Sequence, residues 1–483
     1  MKLNQLMGWS SALFLCAMPL PAQTANDVEL LRKQLKELQQ NFEQQQQLQR
    51  QQIEALTKQL EAVQQKQTGA VAEQEKLKQQ LTERAVAPAA IAPPWSPSQP
   101  ITLAKAGSAY MNISFDALMD FGWSTAKDPS ARLQLGDHDP VNRGFSLRNA
   151  EIALDGAVDP YFKGFANIVL KLDKDNATGI ELEETYLQST ALPANLQLKA
   201  GQFFANFGRQ NPQHPHQWAF VDQPLILNRT FGPDGLRNVG AQLSWLVPTP
   251  FYTEAFLGVF NGQGSTAHSF RNRGESDNSG VQRLYGRATL DRGLRGAGDL
   301  LFVPRVASSF DLTDTQTLLV GASAAFGPND TGAKSRTEIY GVDAFWKWKP
   351  ADAHGGWPFV SWQNEALYRR FGAGADATAL AGPLPRETIT DYGFYSQASW
   401  GFTQRWVASA RSEWVSGGDS LIDAAEVFRG DRTRISPALT WHPSEFSKIR
   451  LQYNYDRGQN FGADHSVWLQ LEFTLGAHGA HKY

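Results

Sequence analysis

The chain has 483 residues, with Lys+Arg 45 against Asp+Glu 48 and a formal charge of −3, a balance that excludes the strongly basic surface of a nucleic-acid binder. Gly 41, Phe 28, Trp 14 and Tyr 12, with no apolar run long enough for a spanning helix beyond the first residues, favour an aromatic-rich β protein over a helical membrane protein. The only cysteine, Cys16, excludes a disulfide framework.

Lys2, an apolar stretch from Ala12 to Leu20 and small residues at Ala22 and Ala25 have the layout of a secretory signal peptide over residues 1–25. Cys16 lies inside it, and Leu15 stands where a lipid-attachment signal wants a small residue. Residues 27–84 are rich in Gln, Glu, Lys and Leu, without proline and with Gly69 alone as glycine. Val28, Leu31, Leu35, Leu38 and Phe42 keep the 3-4 spacing of a helical seam, and Ile53, Leu56, Leu60 and Val63 resume it after eleven residues. The spacing predicts a periplasmic α-helical coiled coil that associates chains weakly, since glutamines fill the seam between the two halves. A solvated single helix used as a spacer is the other reading of the same residues. Such a helix, roughly 85 Å long at 1.5 Å per residue, would also suit a structural envelope tether.

Pro88, Pro93, Pro94, Pro97 and Pro100 place a semi-rigid linker over residues 85–106. From residue 107 to 483 the pattern changes to period two. Ile113, Phe115, Ala117, Met119, Phe121 and Trp123 fall on one face, with Asn112, Ser114, Asp116 and Asp120 on the other. Short turns are predicted at Val158–Tyr161, Leu192–Asn195, Val247–Pro250, Asp311–Thr315, Lys349–Pro358, Phe402–Gln404 and His442–Ser447. They join eight hairpins into an all-β transmembrane barrel of about 16 antiparallel strands, the even number of single-chain bacterial barrels. Pro304 and Pro437 each remove a ladder donor within it. The closing strand alternates Val467, Leu469, Leu471, Phe473 and Leu475 with Trp468, Gln470, Glu472 and Thr474, ahead of the tail GAHGAHKY.

The inward positions of such a barrel line its lumen. The basic candidates are Lys171, Lys199, Lys347, Arg369, Arg411, Arg432, Arg434, Lys448 and Arg450. The acidic ones are Asp116, Asp120, Asp173, Glu254, Asp343, Glu365, Glu413, Asp456 and Glu472. Equal numbers predict a general or weakly selective channel, because ion selection needs an excess of one sign along the wall. The longest well-defined outer loop, 205–236, is too apolar to wave in solvent and is expected to fold inward and narrow the pore. It would present Arg209, His214, His216, Asp222, Arg229, Asp234 and the adjoining Arg237 to a solute, while Trp218, Phe220 and Phe231 anchor it to the wall.

The segment LEETYLQSTALPANLQLKAGQFFANFGRQN, with Gly201, Gln202 and Phe203 followed by Phe207 and Gly208, resembles the phosphate-selective porin O and P superfamily over about residues 107–483. That resemblance implies a trimeric, sixteen-stranded outer-membrane channel, in some members preceded by a coiled coil. NPQHPHQW, FVDQPLILNRTFGPDGLRN, WHPSEFSKIRLQYNYDR and GAHGAHKY are similar to a narrower branch described as zinc-regulated, TonB-dependent outer-membrane receptors, which implies zinc-linked expression and zinc passage. The residues ahead of the first strand have the pattern of coiled coil and linker rather than of a globular plug, so passive or weakly facilitated diffusion of small hydrophilic solutes or ions is the expected mechanism.

Imidazole is a common zinc ligand, and useful binding needs two or more converging side chains. His214 and His216 flank one proline, and His478 and His481 flank Gly479 and Ala480, so each pair can converge on a metal. Ordinary polar loop histidines are the alternative, equally weighted. No tightly held cofactor is expected; zinc would be a ligand or the transported ion. No Ser-His-Asp order, nucleotide loop or HExxH motif points to an enzyme.

Overall fold

The computed structural model describes Lys36 and residues 99–476 except 381 and 425. The predicted signal peptide, nearly all of the coiled coil, most of the linker and the tail histidines His478 and His481 lie outside the described residues.

Seventeen strands form one antiparallel sheet. The first half holds β1 Ile101–Ala106, β2 Ala109–Ser124, β3 Gly144–Ala157, β4 Phe162–Leu172, β5 Thr178–Ser189, β6 Leu196–Phe204, β7 Arg237–Leu246 and β8 Tyr252–Phe260. Three short strands, β9 Glu275–Ser276, β10 Gln282–Leu284 and β11 Arg287–Ala288, make a separate small sheet inside the segment 261–300. The large sheet resumes with β12 Leu301–Thr313, β13 Gln316–Pro328, β14 Arg336–Trp348, β15 Phe359–Ala373, β16 Glu387–Thr403, β17 Trp406–Gly417, β18 Arg432–Ser444, β19 Ser447–Gly458 and β20 Gly462–Leu475. β12 pairs directly with β8, and β20 closes the ring on β2 from Phe115↔Leu475 to Ser124↔Ser466. Sixteen strands therefore form a closed barrel, each paired with a neighbouring strand on both sides.

Each of the seven predicted short turns marks a junction between consecutive strands, although the strands run on into three of them, to Thr313, Thr403 and Ser444. The pleat also holds: on β20, Val467 and Phe473 are exposed on the outer face, while Trp468 and Gln470 are buried inside. Pro304 is paired with Leu257 on β8 but drops out of the register with β13, and Pro437 pairs Ala410 while dropping out of the register with β19. Each proline thus weakens one ladder and leaves its strand intact.

Two expectations need correction. The linker does not run to residue 106, because Ile101–Ala106 turns at Gly107 (φ 62°) and pairs back on β2 from Ile101↔Ile113 to Ala106↔Ala109. β20 stops opposite Phe115, so without β1 the first residues of β2 would present an open edge. Residues 205–236 are also not the longest insertion: 261–300 is longer, carries the small sheet, and sends Ala267 and Phe270 into the same core.

That core makes the lumen less polar than expected. Phe203, Phe260, Leu301, Val303, Ala325, Ile339, Leu367 and Val415 on the barrel wall pack with Phe207, Leu227, Phe231 and Phe270 from the two long segments. Burying these side chains offsets the entropy of ordering long loops inside the barrel.

Gly201 shows how tightly the wall supports this arrangement. Its φ is +140°, and a Cβ there would sit 2.2 Å from the Thr185 carbonyl oxygen and 2.7 Å from Tyr186 Cα. Gly201→Ala is expected to cost roughly 2–4 kcal/mol through overpacking and backbone strain. The lower melting temperature of the purified barrel by circular dichroism checks it, and an unchanged midpoint would contradict this packing.

Candidate functional site

Residues 205–236 enter the barrel through a neck closed by one side chain. Asn211 Nδ2 donates to the carbonyls of Ala205 (2.8 Å) and Leu236 (3.1 Å), and its Oδ1 accepts from Leu236 N (2.7 Å). Gly208 follows at φ +62°, where a Cβ would strike Glu365 Oε2 at 2.3 Å. Glu365 accepts from the backbone N–H groups of Arg209 (2.8 Å) and Gln210 (2.7 Å), so the glycine lets the chain reach a wall carboxylate. The Arg209 guanidinium stacks 3.8 Å from the Phe345 ring centroid.

The middle of the segment crosses to the far wall. Asp222 meets Arg411 Nη2 (2.5 Å), Arg434 Nη1 (2.8 Å), Gln452 Nε2 (2.8 Å) and Asn454 Nδ2 (2.9 Å). Burial would raise the Asp222 carboxyl, but Arg411 and Arg434 outweigh it and hold the group down to about 2. A helix, Leu225–Phe231, follows and is buried along its whole length, with Leu225 N donating to Glu413 Oε2 at 2.6 Å. Arg229 donates to the carbonyls of Phe428, Arg429 (3.0 Å) and Gly430 (3.1 Å). Trp218, Phe220 and Phe231 are buried as anchors, with Arg411 over the Phe220 ring at 4.5 Å. At the exit, Arg237 pairs with Glu181 and donates to the Glu183 carbonyl at 2.8 Å, while Asp234 lies half-buried near Asp137 and Glu181.

The wall charges are matched in pairs. Arg369 holds Asp391 (2.5 Å), which also meets Arg429 (3.3 Å). Arg432 and Arg434 share Asp456 (2.7 and 2.9 Å), Arg411 meets Glu413 (2.7 Å), and Lys448 pairs with Glu472. Arg450 donates to Gln470 Oε1 (2.9 Å) and the Trp218 carbonyl (2.7 Å), again tying the loop to the wall. Lys171 pairs with Asp137 and Glu181, and Lys199 lies 4.3 Å from the centroid of the Tyr186 ring. Lys347 lies on the same inward face of β14 as Asp343, four residues further along the strand. Sequence reasoning missed Arg305, bidentate to Asp343 (2.5 and 3.0 Å), because Pro304 obscured its strand. Asp173 is not a lumen residue: it is exposed in the turn 173–177, where its side chain accepts from Asp175 N and Ala177 N.

His214 and His216 come together on the other side of the lumen, their rings stacked at 5.7 Å and 22°. His214 Nδ1 lies 2.8 Å from Glu183 Oε2 and 3.6 Å from Glu151 Oε2, and its Nε2 lies 2.9 Å from Glu184 Oε2. His216 Nδ1 lies 3.0 Å from Asp116 Oδ2 and 3.5 Å from the same Glu151 oxygen. Burial alone would depress both imidazoles, but the carboxylates overcome it, Glu183 and Glu151 for His214 and Asp116 and Glu151 for His216, which is pushed up to about 10. His138 joins the edge, its Nε2 3.3 Å from Glu183 Oε1. A cavity of about 20 Å³ lined by His138, Glu183, Phe204, Asn211 and Asp234 adjoins the group, with room for a single water. Only the histidines were legible beforehand as a set; Glu151, Glu183 and Glu184 come from β3 and β5, and nothing local marks them as neighbours.

This closed barrel with an inward segment is a porin-type fold. The outer membrane channel DcaP of Acinetobacter baumannii superposes with a TM-score of 0.52 at 12% identity, covering 77% of this chain and 99% of that one. The anion-selective porin from Comamonas acidovorans gives a TM-score of 0.47 at 8% identity over 76% of this chain and 100% of that one. No family model matches the sequence. An uncharacterized protein of Aquifex aeolicus strain VF5 is 30% identical over 364 residues, 72% of each chain, and the present chain belongs to the family of that protein.

Proposed function

We propose that the chain forms a porin-like channel of the bacterial outer membrane, moving small hydrophilic solutes or ions by passive or weakly facilitated diffusion, without enzymatic activity. The observation that carries this reading is the closed sixteen-stranded barrel with residues 205–236 tied across its lumen through Asp222, Arg411 and Arg434. Paired wall charges give a passage with little excess of either sign, so weak ion selectivity follows. The resemblance to the phosphate-selective porin O and P superfamily supports a homotrimer whose N-terminal coiled coil stands in the periplasm. Purified protein in a planar lipid bilayer is expected to show discrete but small conductance steps, small because the core around Phe231 and Phe270 fills part of the lumen. Absence of any step from folded protein would sink the reading.

A second reading, an outer-membrane uptake protein that holds zinc or a similar metal through histidines, is favoured by the placement of His214 and His216 among Asp116, Glu151 and Glu183.

A further inference from the structure

The histidine cluster makes conflicting demands on one atom. Glu183 Oε2, 2.8 Å from His214 Nδ1, requires a proton on that nitrogen, whereas Asn167 Nδ2, 3.1 Å away, offers one to it. The same Asn167 amide faces Glu151 Oε2 at 3.0 Å and Glu183 Oε2 at 2.8 Å, so its two hydrogens confront three acceptors. Asn167 is fully buried, and its Oδ1 has no hydrogen-bond partner among the described residues. Rotating the amide by 180° brings Oδ1 to the place of Nδ2. Three oxygens and a nitrogen then surround one point, and a cation there would satisfy all four of these facing atoms.

The surroundings of His214 agree. Glu184 Oε2 lies 2.9 Å from Nε2 and would keep the proton there, so that Nδ1 is the nitrogen that gives up its proton when a cation takes the site, as with carboxylates behind metal-ligating histidines. His138 Nε2 holds the far oxygen of Glu183 at 3.3 Å, leaving Oε2 to face the point. A second set, His216 Nδ1, Asp116 Oδ2 and Glu151 Oε2, repeats the pattern with separations of 3.0 and 3.5 Å. Bonds of 2.0–2.1 Å in a tetrahedral zinc site put ligand atoms about 3.3 Å apart, and the separations in both sets bracket that value. Glu151 Oε2 belongs to both. By contrast, the rim group of Asp137, Glu181 and Asp234 already faces Lys171, Arg148 and Arg237 and calls for no added cation.

We infer that the lumen carries a pair of divalent-cation positions bridged by Glu151, one completed by His214, Glu183 and Asn167, the other by His216 and Asp116. Two divalent ions balance the four carboxylates Asp116, Glu151, Glu183 and Glu184, and the mixed imidazole and carboxylate set suits zinc or manganese better than magnesium or calcium. The inference deepens the metal-uptake reading and is independent of whether the channel conducts.

The test uses the full mature chain in detergent, stripped of metal, with His478→Ala and His481→Ala in the background to silence the tail. Equilibrium dialysis against zinc, followed by elemental analysis, is expected to give two ions per chain, retained in millimolar magnesium. His214→Ala and His216→Ala should each leave one ion, and Glu151→Gln should weaken both by at least tenfold. Slow heat-modifiable migration on gels confirms that each variant is folded, and the two histidine variants keep the test decisive if Glu151→Gln does not fold. Fewer than two ions in the parent, or undiminished binding in folded variants, overturns the bridged pair. No zinc at all overturns the metal-uptake reading with it, while conductance judges the channel reading separately.

Discussion

Asp222→Ala is expected to raise single-channel conductance severalfold by freeing the inner segment from the wall. The wild-type carboxylate is the meeting point of Arg411, Arg434, Gln452 and Asn454, drawn from three adjacent strands. Removing one member of a buried charged set costs about 3–5 kcal/mol because its partners stay buried without compensation. At 1.4 kcal/mol per decade, even about 3 kcal/mol shifts the ratio of docked to released segment by roughly a hundredfold. Planar-bilayer recording of folded protein checks it, and unaltered steps would show that the segment is not held there.

The same carboxylate sets a pH dependence. Asp222 is held down to about 2 against its ordinary 3.8, so its contribution is fully present above the ordinary value and is lost as pH falls through the depressed one. The neighbouring Asp139, whose oxygens accept from Gln223 N (2.9 Å) and Gly136 N (2.7 Å), moves the opposite way. Burial first and the Asp222 charge second raise it to about 6, so acidification from pH 7 to 5 neutralises Asp139 and relieves its repulsion of Asp222. Wild-type conductance should therefore stay level or fall between pH 7 and 5 and rise only below about pH 3. A rise between pH 7 and 5 would mean that another group governs the segment.

How much of this was legible depended on the range over which each feature is encoded. Strand faces such as Val467 to Leu475 and turns such as Val158–Tyr161 are local, set by a two-residue period and by breakers, and they stand where the sequence put them. The inward course of 205–236 was legible from its length and apolar content, because such a loop cannot stay solvated. β1 was not, since six residues after a run of prolines show too little alternation to mark a strand, and only the open edge of β2 calls for it. The apolar sector of the lumen was hidden for a related reason: Ile339 and Leu367 lie on strands whose charged neighbours Asp343 and Arg369 suggested a uniformly wet wall. The carboxylates around His214 and His216 come from β2, β3 and β5, and the lateral pairing of neighbouring strands with the inward course of 205–236, not spacing along the chain, brings them together.

Phe231→Ala should release the same segment from its apolar end. Phe231 packs edge-on to Phe207 with centroids 5.0 Å apart and belongs to the core with Leu227, Phe270, Ile339 and Leu367. Truncating a buried phenylalanine costs about 3–5 kcal/mol, comparable with the loss of the Asp222 contacts, although no charge is involved. The effect should accordingly persist in high salt and be flat from about pH 7 to 4, and both gains should vanish below about pH 2, where the wild-type carboxylate is itself neutral and the segment already released. Asp222 and Phe231 lie on one short stretch with the helix Leu225–Phe231 between them, so a segment that moves as one body is freed by either change. The double variant should then conduct no more than the larger of the two singles, a non-additivity diagnostic of a shared element. Additive conductance gains would instead place a hinge at Pro224 and divide the segment into two gates, one held by charge and one by packing.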